Sequence, residues 1–193
     1  MKRIGVLGGT FDPIHIGHLI AASEAYAQLD LNQVLFIPAG FPWQKSDQGI
    51  SAPEHRLEMV RLAISGDERF GLSEIEINRP GPSYAIETFE ELRKAEPETE
   101  FIWILGADAA SKISTWHRWQ DFVESVSIAV VNRLGRSADS ISENFISISI
   151  PDVDVSATLL RERYESGETT KYLVPDAVDA YIRANKLYME LES

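Results

Sequence analysis

The chain reads as a doubly wound α/β domain: a mainly parallel sheet with helices on both faces and a helical segment at its C-terminal end. Three observations predict this. Short apolar runs alternate with helix-forming segments, most of those runs are continuous rather than alternating, and no repeat, low-complexity tract or linker divides the 193 residues. That length suits one full core, so residues 1–193 are expected to form one domain, with the C-terminal helices from about 156 packed on it.

Taken in order, Lys2 to Leu7 is a short apolar strand, followed by a turn from Gly8 to His18 and a helix-rich stretch through Leu29. Gln33–Pro38 reads as a second strand, Phe70–Ile77 as a third with partial alternation, Phe101–Leu105 as a fourth and Ser127–Val131 as a fifth. Phe145–Ile150, alternating Ile with Ser, is a sixth, placed near a sheet edge. Helices are expected over Pro53–Ile64, opened by Ser51-Ala52-Pro53-Glu54 in the form of a capping box, over Tyr84–Ala95, and briefly around Trp116–Phe122. Two more follow, Ser156–Ser166 stopped by Gly167 and Pro175–Ala184 opened by its proline. In such sheets ligands bind beyond the carboxyl ends of the strands where the strand order reverses. With strands one and four flanking that reversal, the Gly8–His18 turn stands beside Gly106-Ala107-Asp108.

Composition narrows the function. The apolar share of 44% and charged share of 25% are ordinary for a globular protein, while a net charge of −12 argues against a nucleic-acid binder. There is no cysteine, which excludes a thiolate nucleophile, a disulfide framework and a zinc–sulfur site. The N-terminus lacks an apolar leader and no apolar run is long enough to span a bilayer, so the expectation is a cytoplasmic protein without membrane partners.

The Gly8–His18 turn carries the chemistry. Glycines at the end of a strand let backbone N–H groups approach a ligand, and the helix N-terminus that follows favours anions. His15 and His18 share a face if the helix begins near Ile16, and suit donation to phosphoryl oxygens better than metal ligation, because no Cys or Glu-rich set accompanies them. The loop is neither a Walker A nor a Gly-x-Gly-x-x-Gly turn, so P-loop kinases and nicotinamide-dependent dehydrogenases lose support. A Rossmann-like fold with a different phosphate turn is left.

The string Gly-Gly-Thr-Phe-Asp-Pro-Ile-His-Ile-Gly-His resembles the (His/Thr)-x-Gly-His nucleotidyltransferases, in the form found in bacterial nicotinate-nucleotide adenylyltransferases. The resemblance runs from Lys2 to about Leu187. It implies that Gly8, Gly9, Thr10, Phe11, His15 and His18 hold ATP, with His15, His18 and Lys45 catalytic and His18 associated with the transition state. Val155-Ser156-Ala157-Thr158-Leu159-Leu160-Arg161 resembles the family's Ile-Ser-Ser-Thr-x-Ile-Arg and adds Ser156, Thr158 and Arg161 to the ATP side. Pro82-Ser83-Tyr84-Ala85-Ile86-Glu87-Thr88 and Ser114-Thr115-Trp116 resemble the acceptor motifs. They imply that Tyr84, Thr88, Asp108 and Trp116, with Lys45 and Arg133, bind a pyridine mononucleotide. Trp116 stacks on the pyridine ring in that reading, or packs in the core with Trp119 and Phe122 in a structural one. Gln44 stands where the family commonly has histidine and cannot carry its charge.

The expected reaction is transfer of AMP from ATP to nicotinate mononucleotide, giving deamido-NAD and pyrophosphate in NAD biosynthesis, with Mg²⁺ assisting and no resident metal. A phosphate monoester is already ionised near neutrality, so positioning and charge neutralisation suffice. Nicotinamide mononucleotide or phosphopantetheine are alternative acceptors, and a non-catalytic nucleotide-binding protein is the alternative of another class. Homo-oligomeric assembly is compatible with all of these.

Overall fold

In the computed structural model, residues 1–42, 49–133 and 145–189 are described. The strands β1 (Lys2–Gly9), β2 (Gln33–Pro38), β3 (Phe70–Leu72), β4 (Thr99–Gly106), β5 (Ser127–Arg133) and β6 (Ile146–Ile150) form one sheet in the order β3-β2-β1-β4-β5-β6. Every neighbouring pair is parallel. The order reverses between β1 and β4, where Ile4 lies opposite Phe101 and Val6 opposite Trp103, so the two expected loops do emerge side by side.

Side chains alternate across the pleat, and the two faces build two cores. Ile4 and Val6 of β1 with Phe101, Trp103 and Leu105 of β4 face one way, against Ile86 and Phe89 of α4 (Ala85–Ala95) and Phe122 of α6 (Trp119–Ser125). Leu7 with Ile102 and Ile104 faces the other way. There it meets Ala22 and Ala25 of α1 (Ile16–Gln28), Met59 and Val60 of α2 (Pro53–Ile64), Leu160 of α7 (Ala157–Ser166) and Ile182 of α8 (Asp176–Ala184). Strands buried on both faces are why the apolar runs are continuous. β6, at the edge, keeps only Ile148 buried.

Three elements differ from expectation. The third strand stops at Leu72, and a single turn, α3 (Ile75–Asn78), takes the place of its second half because Glu76 is drawn inward to buried hydrogen bonds. α2 has the expected bounds, but its N-cap is Ala52 with Pro53 inside the first turn, and no side chain caps it. Ser51 is used elsewhere: its N–H donates to Asp12 Oδ2 at 3.3 Å and its carbonyl accepts from Arg56 Nε at 2.9 Å. The helix expected around Trp116–Phe122 starts only at Trp119. Short α5 (Ala107–Ser111) and a 3-10 turn at Ile113–Thr115 precede it, Trp116 is extended, and Arg118 sits at φ 50° with its guanidinium bonded to Glu90 and Asp121.

α7 behaves as its sequence predicts, with Ser156 Oγ accepting the Leu159 N–H at 3.2 Å and Gly167 closing it at φ 74°. Leu160→Ala is expected to cost about 2–5 kcal/mol, seen as one shifted urea transition. Two separated transitions would show that the C-terminal helices melt apart from the sheet.

Candidate active site

The site grows from the end of β1. Gly9 O accepts the Ala39 N–H at 2.9 Å, joining the β1 and β2 exits, and the chain then turns through Phe11 at φ 51°. Phe11 is buried and meets the His18 ring edge-on, with centroids 5.0 Å apart. α1 starts at Ile16 with His15 as its N-cap, and the His15 N–H donates to His18 Nδ1 at 3.2 Å. That bond makes Nδ1 the acceptor, so in neutral His18 the proton sits on Nε2, as a donor.

The two imidazoles stack at 3.8 Å, but they are not equivalent. His18 lines a cavity of ≈ 330 Å³ with Gly8, Gly9 and Thr10, whereas His15 is only 7% exposed and lies behind it. Its Nδ1 is buried without a hydrogen-bond partner among the described residues, and burial lowers its pKa to about 4. His15 is therefore a neutral ring stacked against His18. Gly17 leaves little room beside it, since a Cβ there would lie 3.0 Å from both His15 Nδ1 and Val155 Cγ1.

Val155 brings the second motif in. Arg161 donates from Nη1 to the Asp12 carbonyl at 2.8 Å and from Nη2 to Thr158 Oγ1 at 3.3 Å, so its charge is held against the first loop. Ser156 and Thr158 are exposed at this end of α7.

The far side of the cavity is aromatic: Tyr84, Trp116 and His117 line it, with Glu76, Ser83 and Ala85. His117 stacks on Tyr84 at 4.3 Å, and Trp116 Nε1 is buried with no partner among the described residues. Ser83 N–H and Phe41 carbonyl pair at 2.9 Å while Phe41 N–H donates to Ser83 Oγ at 3.2 Å, which fixes the β2 exit against this wall. Gly40 completes the contact: a Cβ there would stand 2.2 Å from the Glu76 carbonyl oxygen.

The expected residues thus divide. Gly8, Gly9, Thr10 and His18 meet Tyr84 and Trp116 around one cavity. Phe11 and His15 lie beneath it, and Asp108 is exposed in the first turn of α5, just past β4. Thr88 does not reach the cavity: fully buried, it donates to Glu76 Oε1 at 2.7 Å and accepts from Arg79 Nη2 at 2.9 Å. Lys45, like Gln44, lies outside the described residues, as does the Arg133 side chain, although Arg133 ends β5 as expected.

Sequence reasoning missed three residues. Glu76 is a buried carboxyl whose pKa is raised by desolvation, against the bonds from Thr88 and Ser83 and the charge of Arg79. His117 could have been found as the neighbour of Trp116. Arg56 gave no signal, yet it is 1% exposed and donates to the carbonyls of Thr10, Ala39, Gly40 and Ser51.

A parallel sheet with a glycine- and histidine-bearing turn at its reversal fits the nucleotidyltransferase class. Residues 6–163 match the family described as cytidylyltransferase-like. A probable nicotinate-nucleotide adenylyltransferase of Dehalococcoides mccartyi is 42% identical, covering 96% of this chain and 97% of its own. One from Geobacillus thermodenitrificans is 40% identical over 97% and 87%. The chain belongs to the nicotinate-nucleotide adenylyltransferases within the cytidylyltransferase-like family. The fold is shared with Plasmodium falciparum nicotinic acid mononucleotide adenylyltransferase complexed with NaAD, at a TM-score of 0.84 and 17% identity over 97% of this chain and 98% of that one.

The buried His15 sets a pH dependence. Its folded-state pKa of about 4 lies below the ordinary histidine value of 6.5, so between those values the unfolded chain binds more protons and stability falls as pH falls. Between pH 7 and pH 5 this linkage removes about 2 kcal/mol. Urea unfolding at the two pH values is expected to show that loss in the wild type and a smaller one in His15→Gln.

Proposed function

We infer that the chain transfers the adenylyl group of ATP to nicotinate mononucleotide, forming deamido-NAD and pyrophosphate. The observation that carries this reading is one cavity with the glycine turn and His18 on one side and Tyr84, Trp116 and His117 on the other. A triphosphate and a planar heterocycle are the two shapes those sides accept. Full-length relatives named for this activity support the same reading.

In the proposed step an oxygen of the mononucleotide phosphate attacks the α-phosphorus of ATP. The bond from that phosphorus to the oxygen bridging to the β-phosphorus breaks, and the electron pair leaves with pyrophosphate. The nucleophile is already ionised, so no proton need be removed, and the protein's work is in-line placement and charge neutralisation. His18 donates from Nε2 to a non-bridging oxygen as charge develops there. Backbone N–H groups of Gly8, Gly9 and Thr10 and the start of α1 receive the remaining phosphate oxygens, with Arg161, Ser156 and Thr158 toward the departing pyrophosphate and Lys45 adding charge. His15 and Phe11 hold the His18 ring in place.

On the acceptor side, Trp116 and Tyr84 flank the pyridinium ring, whose positive charge suits an aromatic face. Ala85 opens α4 at the cavity, and the N–H groups of that helix start suit a nicotinate carboxylate. Asp108 is placed for a ribose hydroxyl, and Arg133 for the mononucleotide phosphate. Thr88 acts at one remove, through Glu76.

No group of three or more His, Cys, Asp or Glu among the described residues could hold a metal ion. The cation is read as part of the substrate, Mg²⁺ chelated by the triphosphate. The two nucleotides are the partners of this reading. A cytoplasmic setting goes with it, because a chain without cysteine makes no use of an oxidising compartment. No helix among the described residues is long and apolar enough to cross a membrane.

Incubation with ATP, Mg²⁺ and nicotinate mononucleotide is expected to release pyrophosphate faster than with nicotinamide mononucleotide or phosphopantetheine. Absence of turnover with all three, with ATP still bound, would favour a nucleotide sensor. His18→Ala is expected to lower kcat by about 100- to 1,000-fold, the usual worth of one transition-state donor, with a far smaller change in ATP affinity. Equal losses in both would remove His18 from the chemical step.

A further inference from the structure

The tail of the chain returns to the phosphate turn. After α8 the Leu187 N–H bonds to the Ile182 carbonyl at 3.0 Å, and Lys186 and Tyr188 adopt φ values of 52° and 61°. Lys186 is the left-handed residue that closes α8 through this bond, whereas the left-handed backbone at Tyr188 is costly and persists only where contacts impose it. The contact here is made by Tyr188. Its ring lies 6.0 Å from that of Tyr164, and its hydroxyl donates to Asp12 Oδ1 at 2.6 Å, across 176 positions of sequence.

Asp12 is one of the buried residues of the turn, 4% exposed, and each of its three oxygens has a partner. Oδ1 accepts from Tyr188, Oδ2 from the Ser51 N–H, and the carbonyl from Arg161, with the buried Arg56 guanidinium as the nearby opposite charge. Burial and the Asp12 charge keep the phenol protonated, so it remains a donor throughout the working pH range. Asp12 is also the point at which the histidine-bearing loop and the Arg161 helix touch. Freeing its carboxylate loosens both at once.

We propose that Tyr188 is a positioning residue for adenylyl transfer, its hydroxyl fixing Asp12 and through it the His18 loop and the Arg161 guanidinium. The kinetic consequence rests on the reaction inferred above, while the tether itself does not. Tyr188→Phe keeps the ring packing and removes only the donor. It is expected to lower kcat by about 10- to 100-fold, as small misplacements of reacting groups do, with KM for ATP changed much less. Amide hydrogen exchange at residues 10–15 is expected to quicken selectively. Asp12→Asn, which weakens the acceptor, is expected to quicken the same amides, and the double variant to fall no further than the worse single one.

Tyr164→Phe is the comparison: it removes another buried phenol, bonded to Asp179 Oδ1 at 2.8 Å, and is expected to reduce stability without reducing kcat. Unchanged loop exchange in Tyr188→Phe, or an equal kcat loss in Tyr164→Phe, would overturn the proposal. A wild type that makes no dinucleotide would overturn the reaction, and the exchange comparison would still decide the tether.

Discussion

The site depends on one buried cation. Arg56 has lost its water, which disfavours its charge, and the charge is retained because Asp12 opposes that cost and four carbonyl oxygens from three loops accept its N–H groups. Those carbonyls belong to the β1 exit, the β2 exit and the approach to α2. None is part of a strand ladder there, so a planar fork with five donors replaces the ordinary pairing. The loops inferred to hold the nucleotide are thus referenced to a single rigid group.

With that frame in place, the local electrostatics become intelligible. The chain carries a net charge of −12, yet its inferred substrates are anions. Attraction must come from oriented dipoles and a few placed charges rather than from overall potential. His15 is kept neutral by burial, and His18 has its proton directed to Nε2 by a backbone donor. Such groups need little reorganisation as charge develops, which is what an associating pair of phosphates requires. Arg161 supplies formal charge, held at the turn by the Asp12 carbonyl.

Much of this was legible in the letters. Continuous apolar runs specify strands buried on both faces, and Pro53 and Gly167 mark helix ends by conformational necessity, so the sheet, α2 and α7 follow from local chemistry. The Gly8–His18 string also located the cavity. Residues whose roles come from distant partners were not legible. Arg56 gives no signal, because nothing nearby in sequence announces the carbonyls it serves. Ser-Glu-Ile-Glu-Ile-Asn reads as an alternating strand because period two cannot register that Glu76 turns inward to Thr88 and Ser83. Thr88 is a ligand-facing hydroxyl only by the motif resemblance, which does not register its burial against Glu76 and Arg79. For the two histidines, helical spacing puts both on one face but does not say which of them lines the cavity.

The close approach of Gly40 to Glu76 carries a consequence for how this enzyme can change. Even one added carbon at position 40 collides with main chain rather than with a movable side chain. That part of the cavity floor is therefore closed to gradual remodelling. In the inferred reading, divergence toward another heterocycle is easier at the aromatic rim, at Tyr84 and His117, where rings can be exchanged without displacing backbone.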